Sequence, residues 1–254
     1  MTTLQNAPLI EAIFELQWGE FAPGQFSYTQ EEQSLFAGKI SAAAASKGYA
    51  VTQNIQQNQG LMMMPLLVSH RFRKQQHDFP CFQVGLGVFT VNQVKEGYEW
   101  NSFKAAIEMG LEIYKQADAD KLNNVKDTLS LSLRYQDAFF PEKMSTAEYL
   151  DQHFHVSSKL PDSFFSYTGA NRDKTDVNIT MNIETLTPKG TIVIRIANAI
   201  IYDKPGLLME TIVQSKANDC LNGDVSNEIM AWLEQAHDIQ KNSFETLVKS
   251  SAYK

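Results

Sequence analysis

The chain has 254 residues, 22 basic and 29 acidic side chains, two cysteines and a formal charge of −7 at pH 7. That length buries a core without disulfide staples, and the acidic balance, with a pI near 5.3, opposes capture of a phosphate backbone, so nucleic acid is a disfavoured partner. Two cysteines without a secretory leader point to a reducing cytoplasm, and the longest apolar run, "LMMMPLLV" from Leu61 to Val68, is too short to span a bilayer and is interrupted by Pro65.

In the opening stretch "NAPLIEAIFELQWG", Ile10, Ala12, Phe14, Leu16 and Trp18 share one parity and Glu11, Glu15 and Gln17 the other. That alternation is a half-buried strand with its acids on the wet face. Leu35, Phe36, Ile40 and the run "SAAAAS" predict a helix over about 29–47, stopped at Gly48. Three β runs follow: "YAVTQNIQQ", "LMMMPLLVSHRFRKQ" with Pro65 at a bulge or edge, and "CFQVGLGVFTVNQV" with Phe82, Val84, Leu86 and Val88 on one side. Trp100, Phe103, Ile107, Leu111 and Tyr114 then mark a helix to about Gln116.

The pattern restarts after a seam at 117–126. "DTLSLSLRYQDAFF" alternates like the opening strand, and "STAEYLDQHF" reads as a short helix capped by Ser145 or Thr146. Strands are expected near 164–168, 176–187, 191–202 and 207–216, with Pro188, Lys189 and Gly190 making a hairpin turn. Ile229, Trp232, Leu233, Ala236, Ile239, Ser243, Phe244, Leu247 and Val248 form the apolar stripe of a closing helix over about 225–249.

The expected fold is therefore α+β: two sequence-diverged β-α-β(3–4)-α repeats, residues 1–120 and 121–254, as two units or one fused domain. Their antiparallel curved sheets pack on long amphipathic helices in a helix-grip or saddle-like manner. Edge strands of such sheets suit a homodimer.

Four segments, "NAPLIEAIFEL", "FQVGLGVFTVNQVKEGYEWNSFKAAI", "LSLRYQDAFF" and "WLEQAHDIQKNSFETL", together resemble a sporadically distributed prokaryotic family of uncharacterised proteins. Its members share an opening Pro-Leu/Ile-x-Glu-Ala strand and a closing Trp-x4-His-x6-Phe helix, here Trp232, His237 and Phe244. The resemblance implies no activity or catalytic residue; the patchy distribution implies a defence or toxin-associated operon.

Chemistry-bearing residues are sparse. Gly85-x-Gly87 lacks the third glycine and following helix of a dinucleotide site. His153-x-His155 lacks further metal ligands, and His237 and Asp238 are helix neighbours that point about 100° apart. Glu11 and Glu15 share a strand face about 13 Å apart, as solvated acids commonly do. Cys81 and Cys220 have no histidine signature. The basic feature is "SHRFRKQQH", where Arg71 and Arg73 point the same way, with His70, Lys74 and His77 near them, a place for a phosphate, a nucleotide or an acidic partner surface. Arg134 and Arg195 read as separate positions, Arg195 amid isoleucines entering a cavity or pairing with an acid.

The sequence-level reading is a cytoplasmic, noncatalytic protein that binds a partner protein or a second copy of itself, with Arg71, Arg73, Arg134, Arg195 and His237 as candidate contacts. It implies no cofactor and no metal. The rival is a sensor for a small anionic ligand or nucleotide, held between sheet and helix by Arg195, Arg71 or Arg73. An enzyme with residues dispersed in sequence is the less favoured class.

Overall fold

The structure is a computed structural model and describes residues 8–55, 65–141, 144–172 and 175–253. In chain order its elements are β1 (Leu9–Gln17), the small hairpin β2 (Glu20–Ala22) and β3 (Gln25–Phe26), α1 (Gln30–Ser34), α2 (Phe36–Ser46), β4 (Val51–Asn54), β5 (Val68–Arg73), β6 (Cys81–Gly85), β7 (Val88–Val94), α3 (Trp100–Ala117) and α4 (Lys121–Asn124). There follow β8 (Ser130–Phe139), α5 (Thr146–His153), α6 (Asp162–Thr168), β9 (Asn178–Leu186), β10 (Lys189–Ile201), β11 (Lys204–Lys216), α7 (Ala217–Cys220) and α8 (Val225–Leu247).

Nine strands make one open antiparallel sheet in the order β4-β5-β6-β7-β1-β8-β11-β10-β9, with β1 and β8 paired at its middle from Glu11↔Gln136 to Gln17↔Ser130. In each half the first strand pairs with the last, β1 with β7 and β8 with β11. The fold is thus mixed α and β, and the sheet does not close into a barrel.

Strand alternation assigns the two faces. Ala12, Phe14 and Leu16 of β1, Trp18 just beyond it, Leu131 and Leu133 of β8 and Val213 of β11 join one core with Phe36 and Ile40 of α2, Ile107 and Ile113 of α3, and Ile229, Trp232 and Leu233 of α8. A second core joins Phe139, Ile194, Ile196, Leu207 and Met209 of the sheet to Tyr149 and Leu150 of α5. These four helices therefore share one side of the sheet, and the intervening strand positions face the other.

Two buried polar contacts lock the helices onto the sheet. Gln240 of α8 donates from one amide to the carbonyls of Leu133 and Thr211, both at 2.7 Å. Glu32 accepts from the Trp18 indole at 2.7 Å and pairs with Lys121 at 2.5 Å, with both charged side chains under a tenth exposed. Burial alone would raise the Glu32 pKa; hydrogen bonds from Lys121, the Thr29 backbone and Trp18 outweigh it and hold the carboxylate below its ordinary value.

Several expectations need correction. The single helix at 29–47 is two, broken at Leu35 after a capping box of Thr29 and Glu32. The run at 81–94 is a hairpin, not one strand: Leu86-Gly87 turns it, with Gly87 at φ +75°. Pro65 precedes β5 rather than interrupting it, and Gln56 to Met64 of the two neighbouring runs lie outside the described residues. The strand expected near 164–168 is the helix α6, begun at Pro161 and ended by Gly169 in the left-handed region. The hairpin turn falls on Thr187-Pro188, leaving Lys189 and Gly190 inside β10. The seam at 117–126 holds α4, whose Lys121 and Leu122 are buried.

Lys121→Met is expected to destabilise the protein by about 3–5 kcal/mol in urea unfolding, because it strands Glu32 as a buried, uncompensated charge. Gly87→Ala is expected to lower the melting temperature: its Cβ would lie 2.7 Å from the Trp18 carbonyl and 2.3 Å from the Tyr28 hydroxyl at a positive φ.

Candidate functional site

The side of the sheet away from the four helices carries four of the five contact candidates, Arg71, Arg73, Arg134 and Arg195. The ladder places Arg73, Cys81, Asn92, Ile13, Arg134, Ile212 and Val193 in one transverse row. Arg71, Gln83, Thr90, Glu15, Ser132, Gln214 and Thr191 form the next. Glu11, Gln136, Glu210 and Arg195 form a third.

At the middle of this face the charges are paired. Arg195 donates to Glu210 at 3.0 Å, Arg134 approaches the other Glu210 oxygen at 3.6 Å, and the Gln136 amide donates to that carboxylate at 3.1 Å. Arg134 and Arg195, expected apart, thus converge on one acid, because the two-residue turn at Tyr202-Asp203 sets Arg195 opposite Glu210. On β1, burial raises the Glu15 carboxyl above its usual value against the pull of Arg134 and the Gln17 amide. Glu11 accepts from Asn92, whose own carbonyl accepts from the Thr90 hydroxyl. Glu11 and Glu15 are therefore parts of separate contacts rather than a catalytic pair.

Toward the β4 edge the pattern changes. Arg71 and Arg73 sit side by side on β5 with Gln83 and Cys81 opposite them, and each keeps a buried Nε without a hydrogen-bond partner. The Arg73 guanidinium lies 4.9 Å from the centre of the Phe79 ring. Burial pushes the Cys81 thiol up despite the nearby Arg71 and Arg73, so it remains a protonated, unreactive group.

His237 is on the helix side. Its ring stacks on Trp100 at 3.6 Å between centres, and its Nδ1 lies 3.2 Å from the Tyr135 hydroxyl, which is 2.6 Å from that of Tyr98. Burial lowers the His237 pKa to about 4, and Asp238 and Glu234 do not restore it. Beneath the same cluster Asp137, on the apolar parity of β8, is buried and raised by desolvation to about 7. Sequence reasoning missed Asp137, although an acid continuing the series Leu131, Leu133 and Tyr135 was its visible signal. Cavities of about 190 and 510 Å³ lie elsewhere, beside α5, and none of these five residues lines them.

The remaining candidates serve locally. His153 contacts the Ser251 hydroxyl at 2.9 Å, and the His155 backbone donates to the Leu247 carbonyl. Cys220 ends α7 with its thiol donating to the Lys216 carbonyl. Gly85 is required by close approach, since a Cβ would fall 1.9 Å from the Leu67 carbonyl oxygen. Because Arg71, Arg73 and Arg195 lie on the face away from the helices, an anion pocket between sheet and helix is not where these arginines are. No family model, curated protein or solved structure matches the chain.

Asp137 and His237 predict opposite pH effects. Between about pH 3.8 and 7 the folded chain keeps a proton on Asp137 that the unfolded chain releases, so this group's contribution falls as pH rises. Asp137→Asn should remove that fall and be more stable than the parent at pH 8 in urea melts. Between about pH 6.5 and 4 the unfolded chain protonates His237 first, so stability drops with acid. His237→Phe should flatten that limb.

Proposed function

We propose that this protein is a noncatalytic binding protein that engages a partner protein across the helix-free face of its sheet. The observation that carries the reading is the asymmetry of that sheet. One face is sealed by two apolar cores, while the other carries hydrogen-bonding and charged side chains from β5 to β10: Arg195 and Gln214 are exposed there, Arg73, Gln83, Thr90 and Asn92 are buried, and the Nε donors of Arg71, Arg73 and Arg134 have no hydrogen-bond partner. A surface of that kind suits a partner with its own polar and acidic groups, read by complementarity and not by hydrophobic burial alone.

The two halves, about 1–120 and 121–254, are proposed to be diverged copies of one β-α-β(3–4)-α unit, fused through β1 and β8 into a saddle-like whole. The equivalent pairings β1·β7 and β8·β11 support this, as does the succession of an opening strand, helix, further strands and a long closing helix in each half. Duplication doubles the face available to a partner without enlarging either core. The organisation suits a protein whose partner is encoded beside it and whose setting is the cytoplasm.

The test is site-specific photo-crosslinking in the organism that encodes the protein. A crosslinking side chain at Gln214, exposed on the helix-free face, should capture one defined polypeptide, while the same group at Glu108, exposed on α3, should not. No capture at Gln214, or equal capture at both, would refute the assignment of the face.

A further inference from the structure

We infer that Arg71 and Arg73 form a binding site for a phosphoryl group, a dianion bridging the two guanidiniums at the β4 end of the helix-free face. The inference rests on the reading of that face as the binding face and names the chemistry it would recognise.

Four observations converge. The two arginines are alternate residues of β5, which places them on one side about 7 Å apart along the strand. Arg73 is only 7% exposed, and the Nε of each arginine, like that of Arg134, is buried with no hydrogen-bond partner; the Arg73 guanidinium otherwise meets only neutral groups, the Cys81 thiol and the Phe79 ring. Arginine ion pairs among the described residues involve Arg134, Arg172 and Arg195 but neither of these two. On their face the register puts neutral groups next to them, Cys81 and Gln83 on β6 and Asn92 and Thr90 on β7; the nearest acid along the row is Glu15 of β1, three strands away, about 14 Å.

A buried charge is ordinarily paired, because an unpaired one costs several kcal/mol of lost hydration. Arg134 and Arg195 follow that rule by sharing Glu210, and Lys121 follows it with Glu32. Arg71 and Arg73 depart from it twice over, side by side, so their repulsion adds to the missing counter-charge. An oxyanion supplies what both lack. A phosphate monoester or inorganic phosphate carries close to two negative charges at neutral pH, matching the two guanidiniums, and its oxygens accept the parallel donors that each fork presents. The Gln83 amide, opposite Arg71, adds a neutral donor within the same row.

The probe is inorganic phosphate, titrated into the purified chain by calorimetry and by phosphorus NMR, with chloride held constant. The expected result is saturable binding at one site, an upward shift of the melting temperature, and at least a tenfold weaker Kd in Arg71→Gln and in Arg73→Lys. The lysine variant keeps the charge but loses the fork. Arg172→Gln, which alters an exposed paired arginine away from the sheet, should bind phosphate as the parent does. Arg71 is only half-buried, so Arg71→Gln is expected to fold; its circular dichroism and melting curve without phosphate verify that. Absence of saturable binding, or binding unchanged in both Arg71 and Arg73 variants, would overturn the site. Succinate displacing phosphate at equal or lower concentration would overturn its assignment to phosphoryl groups. A failure here with a polypeptide still captured at Gln214 removes the anion site and leaves the partner face standing; the reverse pattern does the opposite.

Discussion

The pairing of β1 with β8 is the constraint on which the rest depends. It joins the halves into one sheet, and its register decides which side chains meet the helices and which lie on the opposite face. With a side-chain period of two, a slip of β1 by one residue would send Phe14 and Leu16 to the helix-free face and drive Glu15 into the core, and a slip of β8 would do the same to Leu131, Leu133 and Arg134. Burying those four apolar side chains under the helices therefore fixes the chemistry of the opposite face as a consequence. Each Leu or Phe so buried contributes on the order of 1.5–3 kcal/mol, far more than a surface ion pair.

Polar groups inside the helix side reinforce that register. Gln240 bonds to carbonyls of β8 and β11, Trp232 donates to Ser215 of β11, and Trp18 of the first half reaches Glu32 and thereby Lys121. Each contact is satisfied only in one alignment, so the directional bonds select among packings that apolar contacts alone would tolerate. The cluster of Tyr98, Trp100, Tyr135, Asp137 and His237 belongs to this interior system. It positions α3 and α8 over β8, and its two titrating groups make the join sensitive to pH in opposite senses.

Long alternations were legible in the sequence because burial of one face leaves a period that survives divergence. β1, β8 and β9 fell where Phe14, Leu131 and Ile183 and their neighbours indicated, and α3 and α8 where their three- and four-residue spacings did. Local chemistry misled where two signals competed. The aromatic residues Phe164, Phe165 and Tyr167 favour strand, but Pro161 and Gly169 bracket a helix. Leu86 continues a strand parity, yet Gly87 turns the chain. The site was half legible: that Arg71 and Arg73 share a face follows from strand period, while the sharing of Glu210 by Arg134 and Arg195 depends on pairing between strands distant in sequence. Glu32 and Lys121 gave no signal, since nothing local ties residues so far apart.

The central claim is that the helix-free face holds a polypeptide partner. Native mass spectrometry of the protein purified gently from its own host, beside a variant carrying Ser132→Trp and Gln214→Trp, tests it most directly. Both substitutions lie on β strands of that face, outside the two cores. A stoichiometric second polypeptide on the parent, absent from the folded variant, is the predicted result. A partner retained by the variant, or a parent that travels as a bare chain, would contradict the account.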